Sequence, residues 1–132
     1  ARRLGMGSFD LDALTATIEV PSRDGVPTSF QHIVNLAPEC FTNDGRLIGV
    51  LLHEFLHMER RERGIPIESV AAEEVAVFTD GIRRAHDIAV ALSTPPVGAS
   101  IDPHHLCVAN EIDEALAEDR LHLGRWLRSQ GR

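Results

Sequence analysis

The chain has 132 residues, of which 43% are hydrophobic and 25% are charged. This length and composition are typical of one compact domain, residues 1–132, and they exclude fibrous and disordered classes. Twenty Asp and Glu against thirteen Lys and Arg give a net charge of −7, which argues against nucleic acid as a partner. The longest apolar run, residues 47–52, is far shorter than the roughly 20 residues of a membrane helix. No secretory signal is visible, so we expect a cytoplasmic protein without a membrane partner.

Two segments in the first forty residues carry the signature of β-strands. They are LTATIEV at residues 14–20 and FQHIVNL at residues 30–36. Both are rich in β-branched residues and are bounded by Pro, Ser, Asp or Gly. We therefore predict a small N-terminal sheet of a few strands.

From residue 42 on, the hydrophobic spacing changes to the period of an α-helix. Capping residues and a glycine predict a first helix over residues 42–64, and Pro66 in a first turn predicts a second over residues 66–92. A third helix is predicted to begin at Asp102 and to continue, with a break at Gly124, to the end of the chain. Strands followed by three helices predict an α+β fold.

The predicted first helix contains His53-Glu54-Phe55-Leu56-His57, an HExxH motif. Histidines four residues apart lie on one helical face, so both imidazoles can reach a single metal ion. Glu54 lies beside that face, where its carboxylate can act as a general base toward a metal-activated water. The motif therefore predicts a catalytic metal site.

At this motif the sequence resembles the zincin metallopeptidases, over roughly residues 30–92. The resemblance implies a minimal zincin-like fold, one zinc ion per chain and hydrolysis of peptide bonds. A metzincin would have Gly at position 60 and His at position 63, whereas this chain has Arg60 and Arg63, so that class is excluded. A gluzincin takes its third ligand from a glutamate on the following helix, where Glu73 and Glu74 are adjacent.

Helical periodicity separates these two glutamates. With Val70 at 0° and a step of about 100° per residue, the apolar side chains cluster around about 60°, Glu74 falls near 40° and Glu73 near 300°. Glu74 is therefore predicted to point inward as the third metal ligand, with a buried salt bridge to Arg46 or Arg60 as the alternative. Glu73 is predicted to be a solvated charge.

The gluzincin resemblance is incomplete around the predicted ligand. That family often places an acid four residues after the ligand, where it orients a metal-bound histidine, but this chain has Phe78 there. Asp80 is the candidate substitute for that acid. The segment EVAVF, residues 74–78, also resembles the peptidases of the ImmA/IrrE type.

The remaining histidines are sorted by helical face. Gluzincins often use Tyr or His to stabilise the oxyanion, and this chain has no tyrosine. His105 falls on the predicted inner face of the third helix and is the candidate for this catalytic role. The alternative for His105 is a core histidine bonded to the backbone, and His122 is predicted to lie at the surface.

The predicted partner is a peptide or protein substrate. In zincins an edge strand pairs with an extended substrate, and the strand FQHIVNL at residues 30–36 is the candidate, with His32 exposed on it. The sequence thus predicts a gluzincin-like zinc metallopeptidase. Two alternatives stay open: a zincin-like binding or regulatory module with a structural or inert metal site, and the catalytic domain of a larger protein.

Overall fold

The computed structural model describes residues 2–6 and 13–131. They form three strands and three long helices, in the order β1 (Arg2–Met6), β2 (Ala13–Val20), β3 (Ser29–Leu36), α1 (Asp44–Glu62), α2 (Val70–Leu92) and α3 (Pro103–Ser129). A short 3-10 helix, Pro38–Phe41, connects β3 to α1. The chain is therefore an α+β protein with its sheet before its helices, as the sequence predicts.

The sheet is antiparallel, with β2 between β1 and β3. β2 and β3 begin within one residue of the predicted strands, whereas β1 has no hydrophobic alternation and is not predicted by the sequence. Side chains alternate between the two faces of a strand, and Ala13, Thr15 and Thr17 of β2 are buried on the face toward α1. Two threonine hydroxyls are thus enclosed between the sheet and the first helix.

Each of the three long helices begins at a capping side chain. Asn43, Ser69 and Asp102 accept hydrogen bonds from backbone N–H groups of the following turn at 2.7, 3.0 and 2.8 Å. The prediction that the second helix begins at Pro66 is wrong, because the residue before Pro66 is apolar and cannot cap. Ser69 provides the capping oxygen, so α2 begins at Val70.

α3 is 27 residues long and passes through Gly124 without the predicted break. A glycine inside a helix costs about 1 kcal/mol relative to alanine. The neighbouring side chains of Leu123, Trp126 and Leu127 are partly buried, and their packing offsets this cost. None of the helices in the described part of the chain is both long and apolar enough to cross a membrane.

A core between α2 and α3 fixes the positions of the helices. Its buried members are small or branched apolar residues: Ala85, Ala89, Val108, Ala109, Ile112 and Leu116. α1 packs against the same core through Ile48 and Leu52. At the start of α1, a Cβ on Gly45 would lie 2.3 Å from the Cβ of Glu111, so only glycine allows this approach of α1 to α3.

Candidate metal centre

Two neighbouring helices bring three potential metal ligands together. His53 and His57 lie one turn apart on α1, and Glu74 lies near the start of α2. The Nε2 atoms of the two histidines are 3.2 Å apart. Glu74 Oε2 is 3.2 Å from Nε2 of His53, and Glu74 Oε1 is 3.2 Å from Nε2 of His57. The structure therefore places the three predicted ligands in one cluster.

The spacing of these atoms fits a tetrahedral zinc site. Zinc binds nitrogen and oxygen ligands at about 2.0 to 2.1 Å, which places two ligand atoms of a regular tetrahedron about 3.3 to 3.4 Å apart. The 3.2 Å between the two Nε2 atoms is close to that edge length, and each Nε2 lies 3.2 Å from a different oxygen of Glu74. The side chains are only 12%, 1% and 3% exposed for His53, His57 and Glu74, so solvent screens a bound cation little.

The histidines also provide the positive partner that a buried Glu74 requires. Burial alone would raise the pKa of Glu74, but hydrogen bonds with His53 and His57 lower it. Burial alone would lower the pKa of His57, but hydrogen bonds with Glu73 and Glu74 raise it. Arg60, an alternative partner of Glu74 in the sequence-based prediction, pairs with Glu73.

Glu54 is buried between the ligand cluster and the sheet. The hydroxyl of Thr15 donates a hydrogen bond to its Oε2 at 2.8 Å. Its Oε1 has no hydrogen-bond partner among the described residues. Burial raises the pKa of the Glu54 carboxyl group above its usual value. A carboxylate with one anchored oxygen, one free oxygen and increased proton affinity is suited to accept a proton from water.

Glu73 is buried beside the same cluster, so the prediction that it is a solvated charge is wrong. Its Oε2 accepts a hydrogen bond from Nδ1 of His57 at 2.8 Å. Its Oε1 accepts hydrogen bonds from Nε of Arg60 at 2.9 Å and Nη2 of Arg61 at 2.8 Å. Burial alone would raise the pKa of Glu73, but these hydrogen bonds lower it to about 2.

Periodicity misplaced Glu73 because the start of α2 is enclosed on more than one side. Glu73 and Glu74 point about 100° apart around the helix. Glu74 points toward the Nε2 atoms of the two histidines, and Glu73 points toward Arg60 and Arg61 at the end of α1. The signal in the sequence that could have placed Glu73 is this arginine pair, since a buried guanidinium needs an anion.

A small cavity of about 40 Å³ lies beside His53 and Glu54. All three helices and the start of β2 contribute to its walls. On one wall the ring of His122 stacks on Phe78, with centroids 5.8 Å apart. The Phe78 ring in turn contacts the ring of His53 at a centroid distance of 4.4 Å. A third histidine thus lines the space next to the ligand cluster.

Two histidines of α3 have positions opposite to those predicted. His122 lines the cavity, whereas His105 is exposed and is not part of its lining. The buried part of α3 begins only at Val108, so the predicted inner face does not extend to the first turn, which contains His105. His122 lies on one helical stripe with Ala115 and Asp119, which also line the cavity, but this spacing alone does not show that the stripe faces a cavity.

His32 is also less exposed than predicted. Its side chain is 15% exposed. Nδ1 lies 2.9 Å from the hydroxyl of Thr17, and Nε2 lies 2.7 Å from a carboxylate oxygen of Glu62. These bonds connect the sheet to the end of α1. The sheet order makes β3 an edge strand among the described strands, as predicted, but no β3 residue lines the cavity.

The sequence and the fold were also compared with known proteins. No protein-family model matches the chain, and no curated protein or solved structure matches it significantly. Its function must therefore be inferred from its own residues.

Proposed function

We propose that this chain is a zinc-dependent peptidase in which His53, His57 and Glu74 hold one zinc ion and Glu54 is the general base. The observation that carries the proposal is the convergence of His53, His57 and Glu74, whose potential ligand atoms all lie within 4.8 Å of one another, beside a cavity that Glu54 also lines. A zinc ion held there would lower the pKa of a bound water to about 7 and would polarise a carbonyl oxygen.

Several features favour a catalytic site over a structural one. Structural zinc sites usually have four protein ligands, whereas catalytic sites have three and leave one position open. Among the residues that the structure describes, the cluster consists of three side chains: His53, His57 and Glu74. The neighbouring cavity offers a route for substrate, and Glu54 adds a carboxylate that a purely structural site would not use.

Glu54 is suited to transfer a proton from the attacking water to the leaving amine. Its free Oε1 would accept the proton, while the Thr15 hydroxyl holds Oε2 in place. Because burial raises the pKa of Glu54, the carboxyl group can retain that proton until the amine leaves with it.

His122 is the proposed donor to the oxygen that becomes negative when the scissile carbonyl is attacked. It takes this role in place of His105, because it lines the cavity beside His53 and Glu54. An imidazole N–H can donate to an oxyanion, and stacking on Phe78 restricts the orientation of the ring.

The proposed substrate is an extended peptide segment. The edge of β3 lies outside the cavity lining, so we propose that it pairs with a flanking part of such a segment through main-chain hydrogen bonds. Val50 and Phe78 add apolar surface to the cavity, which favours an apolar substrate side chain next to the scissile bond.

The proposal is tested by digestion of a peptide library with zinc-loaded protein, read by mass spectrometry. We expect the wild type to cleave peptides and Glu54→Gln to retain zinc and fold but to cleave at least about 100-fold more slowly. Glu68→Gln is the matched control, because Glu68 is exposed and does not line the cavity.

Other outcomes would change the assignment. If Glu54→Gln cleaves as fast as the wild type, Glu54 is not the base. If the wild type binds zinc but cleaves no peptide in the library, the binding or regulatory module is the better description.

A further inference from the structure

We infer that Glu73 is a positioning residue of the metal centre: held by Arg60 and Arg61, it binds the Nδ1 proton of His57 and thereby directs Nε2 to the metal. This inference rests on the proposed function, because it assumes that the cluster of His53, His57 and Glu74 binds a metal ion.

The hydrogen bond between Glu73 and His57 sets the form of the imidazole. An ionised carboxylate can only accept hydrogen bonds, so Nδ1 of His57, 2.8 Å from Oε2, must carry a proton. In a neutral ring, Nε2 then has a free lone pair, which is the form that binds a metal. His57 is only 1% exposed, so water cannot replace this contact without opening the helix interface.

The two arginines determine which glutamate is free to act as a ligand. Both donate to Oε1 of Glu73, from Arg60 Nε and Arg61 Nη2, and leave Oε2 for His57. Arg61 also donates from Nε to the carbonyl oxygen of Ile65, which ties the connection between α1 and α2 to the same network. With both oxygens of Glu73 occupied, Glu74 is the glutamate left to face the Nε2 atoms of His53 and His57.

This arrangement differs from the gluzincin pattern that the sequence resembles. The position four residues after the ligand, where the family has an acid, is occupied by Phe78, and the Phe78 ring contacts His53. Asp80, the substitute considered from the sequence, forms ion pairs with Arg83 and Arg84 on its own helix. The orienting carboxylate in this chain comes from the residue immediately before the ligand.

The experiment compares Glu73→Gln with the wild type, with Asp80→Asn as the matched control on the same helix. Glutamine has one oxygen, which cannot serve both His57 and the arginines, and it lacks the negative charge. Titration of metal-free protein with zinc against a competing chelator should show about 10- to 100-fold weaker binding by Glu73→Gln. Asp80→Asn should bind zinc like the wild type.

A second measurement needs no variant and therefore does not depend on whether Glu73→Gln folds. Heteronuclear NMR of the histidine ring nitrogens in zinc-loaded wild type should show a slowly exchanging proton on Nδ1 of His57 and metal bound at Nε2. Metal at Nδ1, or unchanged zinc affinity in a folded Glu73→Gln variant, would overturn the inference.

The outcomes also separate this inference from the proposed function. If the wild type hydrolyses peptides and Glu73→Gln retains full zinc affinity, the peptidase assignment stands and the positioning role fails. If zinc affinity depends on Glu73 but no peptide is cleaved, the positioning role stands and the peptidase assignment fails. A wild type that binds no zinc overturns both.

Discussion

Gly45 allows a sharp test of how α1 packs against α3. An ideal Cβ on Gly45 would lie 2.3 Å from the Cβ of Glu111 and 2.6 Å from the backbone nitrogen of Ile112. Non-bonded carbon atoms lie about 3.5 to 4.0 Å apart at their optimum. The overlap therefore exceeds about 1 Å, and it involves atoms that side-chain rotation cannot move. Gly45→Ala must displace the start of α1 from α3.

The expected size of the effect follows from these contacts. Overpacking a close contact costs about 1 to 3 kcal/mol, and the rigid atoms around Gly45 favour the upper part of that range. Alanine gains up to about 1 kcal/mol over glycine in helix propensity, which offsets part of the cost. We expect Gly45→Ala to lower the free energy of unfolding by about 2 kcal/mol. Since domains have about 5 to 15 kcal/mol in total, the variant should still fold.

Urea unfolding followed by circular dichroism measures this change, and Gly49→Ala is the control. Gly49 lies on the same helix, and a Cβ there would meet no atom within 4 Å. Gly49→Ala should therefore raise the free energy of unfolding by about 0.5 to 1 kcal/mol. A Gly45→Ala variant as stable as the wild type would show that the two helices do not meet closely at this position.

Glu74→Ala should abolish stoichiometric zinc binding, because only two histidine ligands remain; elemental analysis of dialysed protein tests this, and one retained zinc per chain would refute the ligand assignment. Thr15→Val leaves Oε2 of Glu54 buried without its donor, so we expect a loss of about 1 to 3 kcal/mol in urea unfolding; unchanged stability would argue against this bond. His122→Gln should lower kcat for peptide cleavage about 100-fold, whereas His105→Gln should leave it unchanged; equal effects in steady-state kinetics would contradict the role of His122.

The parts of the site that could be predicted from the sequence depend on geometry within one helix. The spacing of His53 and His57 places both on one face wherever the helix lies. The inward direction of Glu74 follows from the apolar residues on its own helix, since they identify the core-facing side. The error in the start of the second helix, which is Val70 and not Pro66, does not change these predicted orientations.

The parts that could not be predicted depend on the register between elements. Glu73 is buried because the start of α2 meets Arg60 and Arg61 of α1. His122 reaches the cavity because α3 packs so that its ring stacks on Phe78 of α2. Periodicity along one helix contains no information about which turn of a neighbouring helix lies opposite.

Buried polar residues indicate which of these elements pack against each other. Thr15 is a hydroxyl residue on the inner face of a strand, and Glu54 is an acid on a helix that packs against it. Each is unfavourable on the buried face of its element, because burial of an unpaired polar group costs several kcal/mol. Together they satisfy one another, and the same holds for Glu73 with His57 and Arg61. Residues that contradict the pattern of their own element therefore identify the surface on which two elements meet, and in this chain that surface contains the candidate metal centre.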